Sequence, residues 1–401
     1  MSAWLDVVGI GEDGVEGLSS NALNVLKDAE IIIGGERHHK LSDDFKAQRL
    51  SWPSPFDSLL EEIISFKGKK IVILVTGDPL WFSVGARLSR AFKSGDITFH
   101  PQLSAFQLAS VRMGWSLADI ETLTAHGRPI EQLVSFFQPG QKMIVLTSGS
   151  ETPKEIAMLL NERGFENSEM TVFANMGGNK EQRFDSLASE WNYNVPDFNT
   201  LAINCICGPN AKINSSYPGL DDSNFIHDGN ITKKEVRAIT VSKLMPMRGA
   251  LLWDIGLGCG SVSIEWMRSS YDCKAIGIEP KKERREMAKK NAYILGAPKL
   301  EILSGSAPEG LENLLNPDAI FIGGGFTRQT FDICWGRLKP FGRIVVNAVT
   351  LETEVELLKL KEKYGGELVR LNIQKIEEIG SRTAWRPHMP VTQWSKIKNA
   401  R

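Results

Sequence analysis

The sequence predicts an α/β protein of two domains, and three observations carry that expectation. Short apolar runs alternate with helix-length amphipathic stretches through both halves of the 401 residues, the rhythm of mostly parallel sheets. One apolar run ends in a loop with glycine at every second position, Gly256, Gly258 and Gly260, as a Rossmann-like strand–turn–helix unit does. Between the halves, a stretch rich in Pro, Asn, Ser and Asp interrupts the rhythm. The expected division is 1–210 for the first domain, 211–224 for a linker and 225–401 for the second.

In the first half, strands are expected at 5–10, 29–33, 71–75, 142–146, 169–174 and 201–207, with helices over 20–29 and 83–93. Ile71-Val-Ile-Leu-Val75 is apolar without interruption, as a strand buried on both faces should be. In the second half, helices are expected at 232–244, 261–268 and 281–295. Strands at 251–255, 274–278, 319–322, 342–347 and 367–373 complete it.

Composition narrows the class. A hydrophobic content of 42% with 24% charged residues is that of a soluble globular chain, and the net charge of −1 argues against a surface broadly built for nucleic acid. No apolar run is long enough to span a bilayer, and no basic, apolar and small-residue series marks a signal peptide. A cytoplasmic protein, bound to neither membrane nor nucleic acid, is expected. The five cysteines form no metal-ligand spacing with the six histidines, so no metal site is expected. Cys205 and Cys207 alternate within one apolar run and read as buried thiols.

The glycine loop carries the chemistry. In Leu251-Leu-Trp-Asp254-Ile-Gly256-Leu-Gly258-Cys259-Gly260 the position after the third glycine is Ser261, which fails the G-x-G-x-x-G spacing of a dinucleotide site. Asp254, two residues before the first glycine, suits an ammonium-bearing ligand better than phosphates. The next strand ends in Glu279, whose carboxylate is placed to accept from both hydroxyls of an adenosine ribose. Together these residues form the pattern of a class I S-adenosylmethionine-dependent methyltransferase. Ser306 and Ala307 fall where such domains meet the adenine, and Thr232 opens the helix ahead of the loop. Gly323-Gly-Gly325 replaces the Asn/Asp-Pro-Pro-aromatic motif of amino-methyltransferases and leaves an open floor for a large flat substrate.

The second half closely resembles the decarboxylating precorrin methyltransferases of cobalamin synthesis. The resemblance rests on Phe225-Ile-His227-Asp228-Gly-Asn-Ile-Thr232, Trp253-Asp-Ile-Gly256, Phe321-Ile-Gly-Gly-Gly325, Val346-Asn-Ala-Val-Thr-Leu-Glu352 and Trp385-Arg-Pro-His388. The first half resembles the tetrapyrrole methylases, in which S-adenosylmethionine lies folded between two α/β subdomains. Its marks are Gly9-Ile-Gly11, Ile33-Gly-Gly-Glu-Arg37, Thr76-Gly77-Asp78-Pro79, Ser104-Ala105 and Ala125-His126-Gly-Arg128. It departs from that family in Gly11-Glu-Asp-Gly14, where Gly-Pro-Gly is common, and in His100-Pro-Gln-Leu-Ser104, where a double serine is.

The two resemblances imply a fusion with two S-adenosylmethionine sites. Methylation of C5 would fall to the first domain, and methylation of C15 with decarboxylation of the ring C acetate to the second. Gly77, Asp78, Trp81, Ser104 and Ala105 are the implied cofactor contacts of the first domain. A proton must move at a meso carbon, for which His227 and Asp228 are the first candidates, with His388 behind them and His126 in the first half. Arg248, Arg328, Arg382 and Arg386 are candidates for the substrate's carboxylates, whereas Lys281-Lys-Glu-Arg-Arg285 reads as a solvated helix face. A homo-oligomer, dimer or tetramer, is expected. Alternatives are a cobalt-bearing substrate, a fusion with one degenerate half, and a methyltransferase of protein or of RNA, the RNA reading being disfavoured by the near-neutral charge and the absence of a basic stripe.

Overall fold

The computed structural model describes residues 3–400, which divide into two compact units. The first runs to Arg128 and resumes over Gln138–Lys212. Its first sheet comprises β1 (Leu5–Ile10), β2 (Ile31–Gly34), β3 (Gln48–Ser51), β4 (Ile71–Thr76) and β5 (Ile97–His100), in the order β3-β2-β4-β1-β5. Every pairing is parallel. β1 and β4 lie inside, and alternate residues feed two separate cores: Val7 and Ile73 face one, Val8 and Leu74 the other. That two-sided burial explains the unbroken apolar runs.

The second sheet comprises β6 (Glu121–Thr124), β7 (Lys142–Leu146), β8 (Glu169–Ala174), β9 (Gln182–Leu187) and β10 (Asn199–Asn204), in the order β6-β7-β10-β8-β9. Here the expectation of a mostly parallel sheet fails. Only β6 and β7 run parallel; β10 is antiparallel to both its neighbours, and β8 to β9. The reason is connection length. β8 and β9 are joined by a short turn with no room for a crossover helix, and the polar sequence of β9 suits an exposed edge. β10 ends at Asn204, so Cys205 lies beyond the strand, buried, while Cys207 is only half-buried.

The second unit is Ile213–Arg401 with Pro129–Phe137 added from earlier in the chain. Its sheet runs β13-β12-β11-β14-β15-β19-β16. The strands are β11 (Leu251–Ile255), β12 (Lys274–Glu279), β13 (Glu301–Ser304), β14 (Ala319–Ile322), β15 (Arg343–Ala348), β16 (Glu367–Leu371) and β19 (Val391–Ile397). β17 (Gln374–Ile379) and β18 (Arg382–Pro387) form a separate hairpin. β11 to β15 are parallel and β19 antiparallel. Leu252 faces one core, and Leu251, Trp253 and Ile255 the other, so β11 is covered on both sides.

A fully buried ion pair closes this unit. Arg237 Nε donates to Glu265 Oε1 at 2.7 Å, and the Glu265 carboxylate also accepts from the backbone N–H groups of Gly219 and Leu220 at 2.8 and 2.9 Å. Each carboxylate oxygen thus has a donor, the condition for tolerating a buried charge. Ser135 and Phe136 pack here too: Ser135 Oγ donates to the Gly296 carbonyl at 3.2 Å, and Phe136 stacks on Tyr271. Among the described residues no helix is long and apolar enough to cross a membrane.

Candidate cofactor sites

In the second unit the loop leaving β11 folds back over β12. Gly256, Gly258 and Gly260 hold φ values of +77°, +59° and +83°, the left-handed region that glycine occupies without strain. The backbone N–H groups of Gly256 and Leu257 donate to the Ile278 carbonyl at 3.1 and 3.0 Å. A Cβ at Gly256 would stand 2.9 Å from the Gly324 nitrogen, so the loop and the Gly323–Gly325 floor meet backbone to backbone. Nothing fills the space beside Gly324 or Gly325.

Two buried carboxylates lie beneath this loop. Glu279 Oε2 accepts from the Gly258 N–H at 2.9 Å, and Oε1 from the Lys281 N–H at 3.0 Å. Each oxygen keeps a second lone pair for a ligand hydroxyl. Asp254, 1% exposed, accepts from Ser263 Oγ at 2.7 Å through Oδ2, while Oδ1 is buried without a donor. Burial pushes the Asp254 carboxyl up to about 7, and the charge on Glu279 adds to the effect. An acidic pair with Asp254 Oδ1 lacking a donor and Glu279 lone pairs to spare, under a glycine loop with open space above, fits a ligand bearing an ammonium group and ribose hydroxyls. It fits phosphates poorly. The residues present therefore suit S-adenosylmethionine.

The segment ahead of the loop is clipped to it by Asn291, a fully buried residue that sequence reasoning missed. Its Nδ2 donates to the carbonyls of Ile226 and Cys259, both at 2.9 Å, and its Oδ1 accepts from the Ile226 N–H at 2.8 Å. This places His227 and Asp228 near the cofactor loop. Asp228 accepts from the Asn230 N–H at 3.0 Å and pairs with Arg284 at 2.9 Å, and these bonds hold its carboxyl below the usual range. It is a fixed anion. His227 Nδ1 accepts from the Gly229 N–H at 3.0 Å, which leaves the ring proton on Nε2.

Other expected positions are placed less directly. Thr232 does not open the following helix, which begins at Lys234 with Lys233 as its cap; the Thr232 carbonyl instead accepts from Arg237 at 2.5 Å. Ser306 and Ala307 lie in the turn after β13, whose Ser304 is in register with Glu279. His388 sits at the base of the β17–β18 hairpin, donating its N–H to Ile373 at 2.9 Å, with Nε2 buried and unpartnered. Arg248 is misplaced for the substrate. It precedes β11 and pairs with Asp272 before β12, at the strands' N-terminal ends, whereas the glycine loop leaves the C-terminal end. Arg328 pairs with Asp332 within its own helix, and Arg386 with Glu377 across the hairpin. The basic run at 281–285 is not simply solvated: Arg284 anchors Asp228, and Arg285 donates to the Glu279 and Pro280 carbonyls.

The first unit builds a different cleft, at the C-terminal ends of β4, β1 and β5. A Cβ on Gly9 would stand 1.9 Å from the Gly77 carbonyl, and one on Gly77, whose φ is +64°, 2.9 Å from Ser104 Cα. Three strand ends thus converge through glycine, and Gly9, absent from the predicted contacts, belongs with Gly77 and Ser104. Asp78 Oδ1 accepts from the N–H groups of Leu80 and Trp81 at 2.7 and 3.2 Å, shaping the turn. Ser104 caps the helix Ala105–Met113 in a reciprocal capping box with Gln107. Trp81 packs on Phe106 with ring centroids 4.9 Å apart, a core contact. His126 is exposed on a loop whose Arg128 guanidinium lies 5.3 Å over the Phe82 ring.

Comparison with known proteins agrees with this division. Residues 5–191 match the family described as Tetrapyrrole (Corrin/Porphyrin) Methylases, and residues 223–398 match the Precorrin methyltransferase domain. A precorrin-6Y C(5,15)-methyltransferase [decarboxylating] of Sinorhizobium sp is 40% identical over 401 residues, covering 99% of this chain and 97% of that one. The chain belongs to the precorrin-6Y C(5,15)-methyltransferase (decarboxylating) family. A member of this family from Mycobacterium tuberculosis is 35% identical over 398 residues, 98% of this chain and 99% of its own. A shorter relative, a cobalt-precorrin-7 C(5)-methyltransferase of Salmonella typhimurium, is 30% identical over 180 residues, 44% of this chain and 88% of its own.

Proposed function

We propose that this chain is a bifunctional S-adenosylmethionine-dependent methyltransferase of cobalamin biosynthesis with one cofactor site in each unit. The first unit methylates C5 of precorrin-6Y; the second methylates C15 and removes the ring C acetate carboxyl, giving precorrin-8X. The observation that carries this reading is the pair of unrelated glycine-built clefts, each at the C-terminal edge of its own parallel sheet. A half-length relative named for C5 methylation supports one unit sufficing for that step.

S-adenosylmethionine, when bound, supplies an electrophilic methyl on a sulfonium. The enamine-like carbons of a partly reduced macrocycle are adequate nucleophiles, so the protein's main task is in-line positioning. In the second unit, Asp254 and Glu279 orient the cofactor and the Gly323–Gly325 floor leaves room for the ring. His227 is the candidate for the proton that a meso carbon must gain or lose, since Asp228 is held ionised. As bonded here its Nε2–H serves as a hydrogen-bond donor, and proton transfer through the ring requires Nδ1 to be released from the Gly229 N–H. Decarboxylation leaves an electron pair that the conjugated ring accepts, so the carboxylate need only be oriented away from water. For the first unit, His126 and Arg128 are the candidates for the same role.

We expect a cytoplasmic homo-oligomer, and the exposed stripe of Leu351, Val355 and Leu358 along the helix Leu351–Tyr364 supports association. Two experiments test the reading. Calorimetry with S-adenosylhomocysteine should give two sites per chain. Purified protein, precorrin-6Y and labelled S-adenosylmethionine should yield a product heavier by two methyls and lighter by carbon dioxide. A parallel incubation with the cobalt-bearing equivalent decides which form is preferred. One methyl, or no loss of carbon dioxide, refutes the assignment.

A further inference from the structure

At the end of β4, beside the Gly77–Asp78 turn, the hydrogen bonds around Thr76 are directional. The Gly35 backbone N–H, which can only donate, points at His38 Nδ1 at 3.1 Å. That nitrogen therefore carries no proton, and His38 is neutral with its hydrogen on Nε2. Nε2 lies 3.0 Å from Thr76 Oγ1 and donates to it. The Arg37 guanidinium donates to the same oxygen. A hydroxyl oxygen has two lone pairs, and both are taken. The Thr76 hydrogen must then point away from the pair, and Thr76 is exposed.

Arg37 is itself fixed. It pairs with Glu12, and its guanidinium carbon lies over the Phe198 ring, 4.1 Å from the centroid. Three contacts hold the guanidinium in place, and a planar guanidinium has five N–H donors, so some remain unspent next to the Thr76 hydroxyl. The His38 ring is held with equal care. A Cβ on Gly34 would stand 3.1 Å from His38 Cβ, and one on Gly35 3.2 Å from Trp52 Nε1.

We infer that Thr76 is a hydrogen-bond donor of fixed direction which, with Arg37, receives a carboxylate in the first unit's cleft, His38 acting as the positioning residue. This rests on the first unit binding cofactor and tetrapyrrole as proposed above. The carboxylate has two possible sources, an acetate or propionate of the macrocycle and the α-carboxylate of the cofactor's methionine moiety. Both would be met by the same pair of donors, one charged and one neutral.

Thr76→Val, which removes the donor at constant shape, and Thr76→Ser, which keeps it, separate these cases in the full-length chain. The KM for precorrin-6Y is read from C5 methyl transfer. Cofactor-side affinity is read by calorimetry in a Gly256→Arg background, so that only the first cleft titrates, using S-adenosylhomocysteine and 5′-methylthioadenosine, which lacks the carboxylate. Loss of a hydrogen bond to a charged group should cost about tenfold or more. A rise in KM with unchanged S-adenosylhomocysteine affinity supports a substrate carboxylate. Weaker S-adenosylhomocysteine with 5′-methylthioadenosine unchanged supports the cofactor's. In either case Thr76→Ser should stay within about twofold of wild type. The inference is overturned by no change in any of these, by equal weakening of both nucleosides, or by Thr76→Ser behaving like Thr76→Val. Wild-type protein that transfers no methyl would sink the functional reading alone, because the two nucleoside titrations, with a direct titration of precorrin-6Y into the same Thr76 variants, still decide the role of Thr76.

Discussion

The two units reach similar ends by opposite electrostatics. The second places two carboxylates under its glycine loop, one of them, Asp254, so deprived of water that its carboxyl is pushed up to about 7. Among the described residues the first has no buried pair at its strand ends: Asp78 and Glu12 are only half-buried, Glu12 is paired with Arg37, and the cleft is edged by that cation and by His38, which burial, helped by the Arg37 charge, holds down to about 4. An acidic floor favours the cationic part of a ligand, and a cation beside a neutral donor favours an anionic part. On the proposed function, a single chain holds one cofactor in two ways, and each way should be breakable without the other.

Gly256→Arg should have the largest effect. The new side chain would need a left-handed backbone and would meet the Gly324 nitrogen at 2.9 Å. C15 methylation and decarboxylation should fall more than about a hundredfold, beyond what loss of one contact gives, while C5 methylation stays within about twofold, since sites that share no residues act independently. Product mass distinguishes the outcomes. Loss of all activity together would mean that the two clefts are not independent.

Gly77→Val makes the reciprocal cut. A β-branched residue is poorly tolerated at φ +64°, and its Cβ would stand 2.9 Å from Ser104 Cα. C5 methylation should drop by about one to two orders of magnitude, as misplacement of a bound reactant does, leaving C15 chemistry intact. An unchanged C5 rate would remove Gly77 from the cofactor contacts.

What the sequence made legible explains why these glycines can be chosen at all. Gly256, Gly258, Gly260 and Glu279 were readable because a strand, its turn and the next strand's end are local in the chain. Features that depend on contacts between distant segments were not. Asn291 is one polar residue in the helix Lys282–Ile294 until the fold brings Ile226 and Cys259 against it. Arg248 looked suitable because nothing local tells which end of a parallel sheet a loop occupies. Pro129–Phe137 packs in the second unit through contacts with Tyr271 and Gly296, about 140 and 160 residues away. The antiparallel β8–β10 pairing was hidden for a related reason: apolar runs disclose strands, but not their direction.

The opposed electrostatics also predict opposed pH dependence, with the effect at Asp254 the larger. In an unfolded chain this carboxyl ionises near 3.8, in the folded one near 7. Between those values the unfolded state sheds its proton first, so the group's stabilising contribution is full below 3.8 and is lost as pH rises to about 7, at about 1.4 kcal/mol per pH unit. Asp254→Asn cannot titrate. Its stability relative to wild type should therefore increase from pH 5 to pH 7, read by hydrogen exchange of the Gly258 amide. A flat difference would mean that Asp254 ionises normally and that the loop lies over a less acidic floor.

His38 runs the other way. Its folded value of about 4 lies below the unfolded 6.5, so between them the unfolded state binds the extra proton. The neutral ring's contribution is complete above pH 6.5 and is lost as pH falls towards 4, with the same slope and a narrower span. His38→Gln keeps an amide that can accept from Gly35 and donate to Thr76 but cannot titrate. Relative to wild type it should gain stability as pH drops from 6.5 to 4.5, read at the Gly35 amide, while Gly258 shows no such gain. Slopes of equal sign in the two units would end the comparison, because nothing but the opposite burial of an acid and a base separates them.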